Sequence, residues 1–164
     1  MFHRAKNGGL DKDYRFTLPS TLEACRERFG TPPYTLDVAA CPQAHVSPRY
    51  YALENNQDAL TRPWGLGDSD HVWCNPPWSK IKPWIVKAWD EFSLDRFRSL
   101  TMLIPVRTEQ PYWQEHVEPF RDSEGPLTTW FLPKRQKFGS PSDPLGLNAG
   151  SPPFICVALN WTRP

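Results

Sequence analysis

Short unbroken apolar runs recur along this chain, separated by apolar residues at helical spacing, and the alternation predicts strands and helices in turn. Leu18, Leu22, Cys25 and Phe29 share one face of a helix over residues 17–29, with Ser20 or Thr21 as its cap and Gly30 after its end. Residues 34–40, Tyr-Thr-Leu-Asp-Val-Ala-Ala, read as a strand ending in a carboxylate and two small side chains. A short strand over 46–51, a polar turn into a small helix or loop over 55–60, and a Gly- and Asp-rich linker over 61–70 follow. Val72-Trp73-Cys74 is the next buried strand. Asn75-Pro76-Pro77 stops it, because proline cannot donate to a ladder and drives the residue before it out of the helical region. After a loop over 79–82, Pro83 opens a helix whose stripe is Trp84, Ile85, Ala88, Trp89 and Phe92, assigned to core packing. A strand over 100–106, a helix over 109–120, a strand over 127–132, a long Gly/Ser/Pro/Asn loop over 139–153 and a strand over 154–161 complete the order. With no helix between them, the last two strands are expected to pair antiparallel at the edge of an otherwise parallel sheet.

Composition narrows this to one packed α/β domain over residues 1–164, with 1–12 loose. Hydrophobic residues make up 39% and aromatics 13%, including 8 Trp, which argues against disorder. A net charge of +1 neither demands nor excludes nucleic acid, so any basic surface is local. No apolar run approaches membrane-spanning length and the first ten residues lack a signal-peptide core, so the chain reads as cytoplasmic. The four cysteines form no CxxC pair, and reduced, mostly buried thiols are expected. Cys41 with His45, and His71 with Cys74, have the residue types of a two-Cys, two-His zinc site. However, His71 and Cys74 lie three apart on a strand and point to opposite faces, so no metal is expected.

The candidate chemistry gathers at strand ends, where open α/β sheets bind their ligands. Pro-Pro alone carries no information in a chain with 19 prolines, since it recurs at Pro32-Pro33 and Pro152-Pro153. Asn75 before Pro76-Pro77, Trp78 after them and a strand leading in set this copy apart. An amide and an aromatic ring so placed suit methylation of an exocyclic amine on a planar ring. The amine of adenine is a poor nucleophile because its lone pair is shared with the ring. If the Asn75 side-chain oxygen and the Pro76 carbonyl accept its two hydrogens, the nitrogen becomes tetrahedral and recovers that pair, with no general base needed near neutral pH. Trp78 would stack on the base. Asp37 can accept hydrogen bonds from a ribose or an ammonium group, or simply cap a turn; Ala39 and Ala40 let a cofactor approach the backbone. Asp58 can meet the amine of a cofactor adenine, or merely be solvated. Arg107 is equally a phosphate contact or a surface cation. Lys134, Arg135 and Lys137 beside Phe138 have the pattern that grips a nucleic-acid backbone, and also that of a solvated face.

Five stretches, in order, resemble the phage-encoded Dam-type DNA N6-adenine methyltransferase family over residues 13–159. They are Leu36-Asp37-Val38-Ala39-Ala40, Gln57-Asp58-Ala59-Leu60, Asn75-Pro76-Pro77-Trp78-Ser79, Pro105-Val106-Arg107-Thr108 and Arg135-Gln136-Lys137-Phe138. The resemblance implies a reduced Rossmann-like fold dependent on S-adenosylmethionine, in the host cytoplasm if phage-encoded. It implies that Asp37 and Asp58 hold the cofactor, with Ala39, Ala40 and Thr17 counted beside them. Asn75, Pro76, Pro77 and Trp78 would act on the target adenine, and DNA would be the partner. Two departures stand out: Trp78 occupies a place where Tyr or Phe is commoner, and Asp-Val-Ala-Ala replaces the usual glycine-rich cofactor loop. A duplex base must be flipped out to be reached. RNA adenine, a protein Gln or Asn amide, and a catalytically silent nucleic-acid-binding protein are the alternatives.

Overall fold

The computed structural model describes residues 14–164, and the expected looseness of 1–12 lies outside them. Its strands are β1 (Phe16–Thr17), β2 (Leu36–Ala40), β3 (Tyr50–Ala52), β4 (Gly67–Cys74), β5 (Phe97–Pro105), β6 (Leu127–Phe131), β7 (Phe138–Gly139) and β8 (Cys156–Thr162). Its helices are α1 (Pro19–Phe29), α2 (Ile81–Ser93) and α3 (Pro111–His116). A six-stranded sheet has the order β3-β2-β4-β5-β8-β6. The first four strands run parallel, and β8 lies antiparallel to both β5 and β6. The expected antiparallel pair is therefore present, with β8 inside the sheet and β6 at the edge. Outside the sheet, β1 and β7 form a two-residue antiparallel ladder.

Strand alternation explains why the apolar runs are continuous. Val72 and Cys74, Leu100, Met102 and Ile104, and Val157, Leu159 and Trp161 all enter a core shared with Ile85 and Ala88 of α2 and Trp113 of α3. Their intervening neighbours Trp73, Leu103, Cys156 and Ala158 enter a second core with Cys25 of α1. The sheet is thus covered on both faces, as parallel strands require. Val72, Trp73 and Cys74 are all buried. Burying such a side chain stabilises by roughly 1.5–3 kcal/mol, which fixes the strand end carrying Asn75.

Boundaries moved where backbone donors found other partners. The helix expected from residue 17 starts at Pro19, because Phe16 and Thr17 pair with β7. Gly30 ends it in the left-handed region at φ 63, its N–H on the Arg26 carbonyl. The strand expected over 46–51 shrinks to β3, since the Val46 N–H is taken by the Asp37 carboxylate. α2 begins at Ile81, so Pro83 sits within the first turn, where its missing N–H costs no intrahelical hydrogen bond. The helix expected over 109–120 stops at His116; Pro119 follows shortly after. β4 reaches back to Gly67, inside the expected linker.

Buried Asp70 holds that extension in place. Its carboxylate accepts from the Thr35 hydroxyl at 2.7 Å, the Arg49 guanidinium at 2.7 Å and the Leu66 N–H at 2.7 Å. Burial raises the carboxyl, but these donors outweigh it and hold Asp70 below the ordinary carboxylate range. A second staple ties the 59–64 segment to α2. The Trp64 N–H donates to Glu91 at 2.7 Å, Glu91 pairs with Lys87 at 2.6 Å, and the Trp64 indole donates to the Ala59 carbonyl.

Candidate active site

Asn75 follows the last residue of β4, at the carboxyl end of the parallel strands. Its Nδ2 donates to the Arg15 carbonyl at 2.9 Å and to the Thr17 Oγ1 at 3.1 Å, while its Oδ1 accepts from the Trp78 Nε1 at 3.1 Å. An indole N–H can only donate, so this set of partners fixes which end of the amide is oxygen. Flipping the amide would set an NH2 against an N–H. The Asn75 oxygen is consequently held on the Trp78 side.

Trp78 is half-buried in a ring cluster. Phe138 meets it edge-on with centroids 5.3 Å apart, and Phe154 lies 5.9 Å away. The Arg15 guanidinium stands over the Trp78 ring, 4.2 Å from its centroid. Arg107, exposed beyond β5, places its guanidinium 4.8 Å over the Phe154 ring. Arg107 is thereby brought to the rim of the Trp78 cluster.

Two cavities flank the carboxyl end of β2 and share Ala39 and Ala40 in their walls. One, of about 150 Å³, is lined by Tyr51, Asp58, Leu60, Pro77 and Trp84 among others. Asp58 uses one oxygen to cap the 3-10 turn Ala59–Thr61, accepting from the Leu60 N–H at 3.0 Å. Trp84, expected only to pack the core, also forms part of this wall. The other cavity, of about 240 Å³, brings Asn75, Thr17 and Arg15 together with Asp37 and His45.

Asp37 is 4% exposed. Burial lifts its carboxyl to about 6, against the opposing pull of N–H donors from Val46 at 3.1 Å and Ala39 at 3.2 Å and of nearby His45. The Val46 bond ties the 41–46 loop to β2, while the Ala39 bond lies within the strand. His45 itself stacks on Tyr50, and His71 bonds Ser99, on separate elements. Among the described residues, no group of three or more His, Cys, Asp or Glu could hold a metal. All four cysteines are reduced and buried. Burial raises the Cys74 thiol far above its ordinary value, so the cysteine next to Asn75 is no nucleophile.

Lys134, Arg135 and Lys137 are exposed and form no ion pair among the described residues. They line neither cavity but lead directly into Phe138. Between them, Gln136 accepts from Thr21 at 2.9 Å, which ties the segment to α1. Sequence reasoning missed Arg15 and Phe154; their only signal was proximity to an element, and the contacts they make are 63 and 76 residues distant.

The architecture defines a mixed α/β protein with a polar, amide-bearing pocket at the carboxyl end of a mostly parallel sheet. The family described as DNA N-6-adenine-methyltransferase (Dam) matches residues 9–122, more than half of the chain, and the chain belongs to that family. A protein of Escherichia phage T1 named DNA N-6-adenine-methyltransferase is 28% identical over 113 residues. That match covers 62% of this chain and 45% of the relative, so the chain spans under half the length of the protein it resembles. Among the described residues, no helix is long and apolar enough to cross a membrane.

Proposed function

We propose that this chain transfers a methyl group from S-adenosylmethionine to the N6 amine of adenine in DNA, using a reduced Rossmann-like fold in one domain. The observation that carries the proposal is the Asn75 amide, locked so that its oxygen lies beside Trp78 in a cavity it shares with Asp37. Family membership and the name of the phage relative support the same chemistry.

The residues present suit such a cofactor. Two cavities meet over Ala39 and Ala40, where a side chain larger than methyl would narrow the passage. One is an apolar slot with a carboxylate, Asp58, suited to a planar ring carrying an amine. The other presents Asp37, suited to an ammonium group. When bound, the cofactor supplies an electrophilic methyl group on a sulfonium sulfur.

Asn75 and Pro76 act on the acceptor. The Asn75 Oδ1 has a second lone pair beside the one engaged by Trp78 and takes one N6 hydrogen; the Pro76 carbonyl takes the other. The amine nitrogen thereby recovers its lone pair to accept the methyl group, and the proton that the methylated, cationic nitrogen must lose passes to water afterwards. Both acceptors are neutral fixed dipoles, so they stabilise the positive charge as it develops without a prior proton transfer. The Trp78 ring stacks on the base and excludes water from one face. Arg107 and the exposed Lys134, Arg135 and Lys137 supply phosphate contacts.

Radiolabelled methyl transfer to DNA, RNA and protein, run side by side, tests this directly. Label in DNA released as N6-methyladenine is the expected result. Label only in RNA or protein would reassign the acceptor, and cofactor binding without transfer to any of the three would make the chain a silent binding protein.

A further inference from the structure

Leu145 and Leu147 are 63% and 77% exposed, on either side of Gly146. Single exposed leucines are ordinary, but these two are presented on a built turn. Asp143 accepts the Leu147 N–H on one carboxylate oxygen at 3.0 Å and the Asn148 N–H on the other at 2.9 Å. Ser140 and Asp143 exchange backbone bonds at the turn's base, at 2.9 and 3.1 Å. Gly146 takes the left-handed region at φ 63, and a Cβ there would come within 2.9 Å of the Phe138 carbonyl oxygen. Pro144, next to Leu145, forms part of the wall of the Asn75 cavity. The turn therefore rests on Phe138, whose ring meets Trp78 edge-on. Other strongly exposed leucines stand elsewhere: Leu66 precedes β4 and Leu94 follows α2, both at the amino end of the sheet.

We propose that Leu145 and Leu147 form an apolar wedge that enters the DNA base stack and occupies the gap left by the extruded adenine. The inference rests on the adenine-methylation proposal above. Apolar side chains inserted at a base step unstack it, and a flipped base leaves an apolar hole that water fills poorly. The choice of DNA as occupant follows from charge, since exposed Lys134, Arg135 and Lys137 lie on the segment that leads into Phe138. The wedge would be needed only where a base has to leave a stacked duplex.

The test compares methylation of one plasmid as intact duplex and as heat-denatured single strands. Leu145→Ser/Leu147→Ser should lose roughly ten- to a hundredfold in kcat/KM on duplex, the scale of the unstacking cost, and change by no more than about twofold on single strands. Leu145→Met/Leu147→Met, which restores an apolar tip, should recover the duplex rate. Unchanged duplex rates in the serine variant overturn the wedge, and so do equal losses on both substrates. Wild-type protein inactive on both forms of DNA retires the parent proposal, and the wedge with it.

Discussion

The two strands that frame the site, β4 and β2, hold their polar groups in opposite ways. At the end of β4, the Asn75 amide is neutral and fully oriented: two acceptors take its N–H groups and one donor marks its oxygen. Within β2, level with Trp73 of β4, Asp37 is a buried charge, held by two backbone N–H groups that do not fully offset its desolvation. The first arrangement gives a dipole whose strength does not vary with pH. The second gives a group whose charge changes just below neutrality. A site that must lower the barrier at a neutral amine gains from the first, and one that must grip a cationic cofactor gains from the second.

Removing the β4 dipole should have the largest effect. Asn75→Ala is expected to slow single-turnover methylation on the order of 100- to 1000-fold, as for loss of one preorganised partner, with cofactor affinity by calorimetry nearly unchanged. Trp78→Ala comes next: a stacking contribution of about 1–3 kcal/mol should show chiefly as weaker binding of the target base, and Trp78→Phe should be tolerated. Near-normal turnover in Asn75→Ala would reduce the strand-end motif to a structural role.

The β2 side is sharpened by pH. Because the Asp37 carboxyl is raised to about 6, it is ionised above that pH and protonated below it. Cofactor affinity should therefore be highest near pH 7 and fall as pH drops through 6, by about tenfold per unit lower down. Calorimetry across this range checks it. Asp37→Asn should bind weakly at every pH with no such break, and a break that survives the substitution belongs to another group.

The smallest effect isolates the lock on the amide. Thr17→Val keeps the shape of β1 and deletes one acceptor for the Asn75 Nδ2, and the net worth of one hydrogen bond predicts roughly a two- to twelvefold fall in kcat. Thr17→Ser should restore the rate. Equal rates in all three proteins would assign the orientation of Asn75 to the Arg15 carbonyl and Trp78 alone.

Thr17 also shows where the sequence stopped being informative. The strand-stop at Asn75-Pro76-Pro77 was legible because proline's missing donor is a local property, and the apolar runs gave every strand of the six-stranded sheet longer than four residues. β1 and β7 were not legible, since two-residue strands have no periodicity and their pairing spans more than a hundred residues. Thr17, expected to open the helix and counted beside the cofactor residues, lies in β1 and not in the helix; its hydroxyl meets Asn75 in the cavity that also holds Asp37. Asp70 was hidden in a polar stretch that resembled a linker, although its three donors make it a structural centre. The order of Asp37, Asp58, Asn75 and Arg107 was readable; the division of two of them between adjoining cavities was a matter of tertiary packing.

The guanidinium over Trp78 has a consequence for admission to the pocket. A flat ligand cannot lie on that ring face until Arg15 vacates it, so entry is an exchange and not a simple filling. A cation over an aromatic face is worth about 0.5–2 kcal/mol, against about 1–3 kcal/mol for a stacked base. The margin is narrow and grows with the area of the incoming ring. If the target base stacks on Trp78 as proposed, Arg15 would set a threshold that a bicyclic purine clears more readily than a single-ring pyrimidine, a size filter imposed by the resident side chain before any hydrogen bond is read.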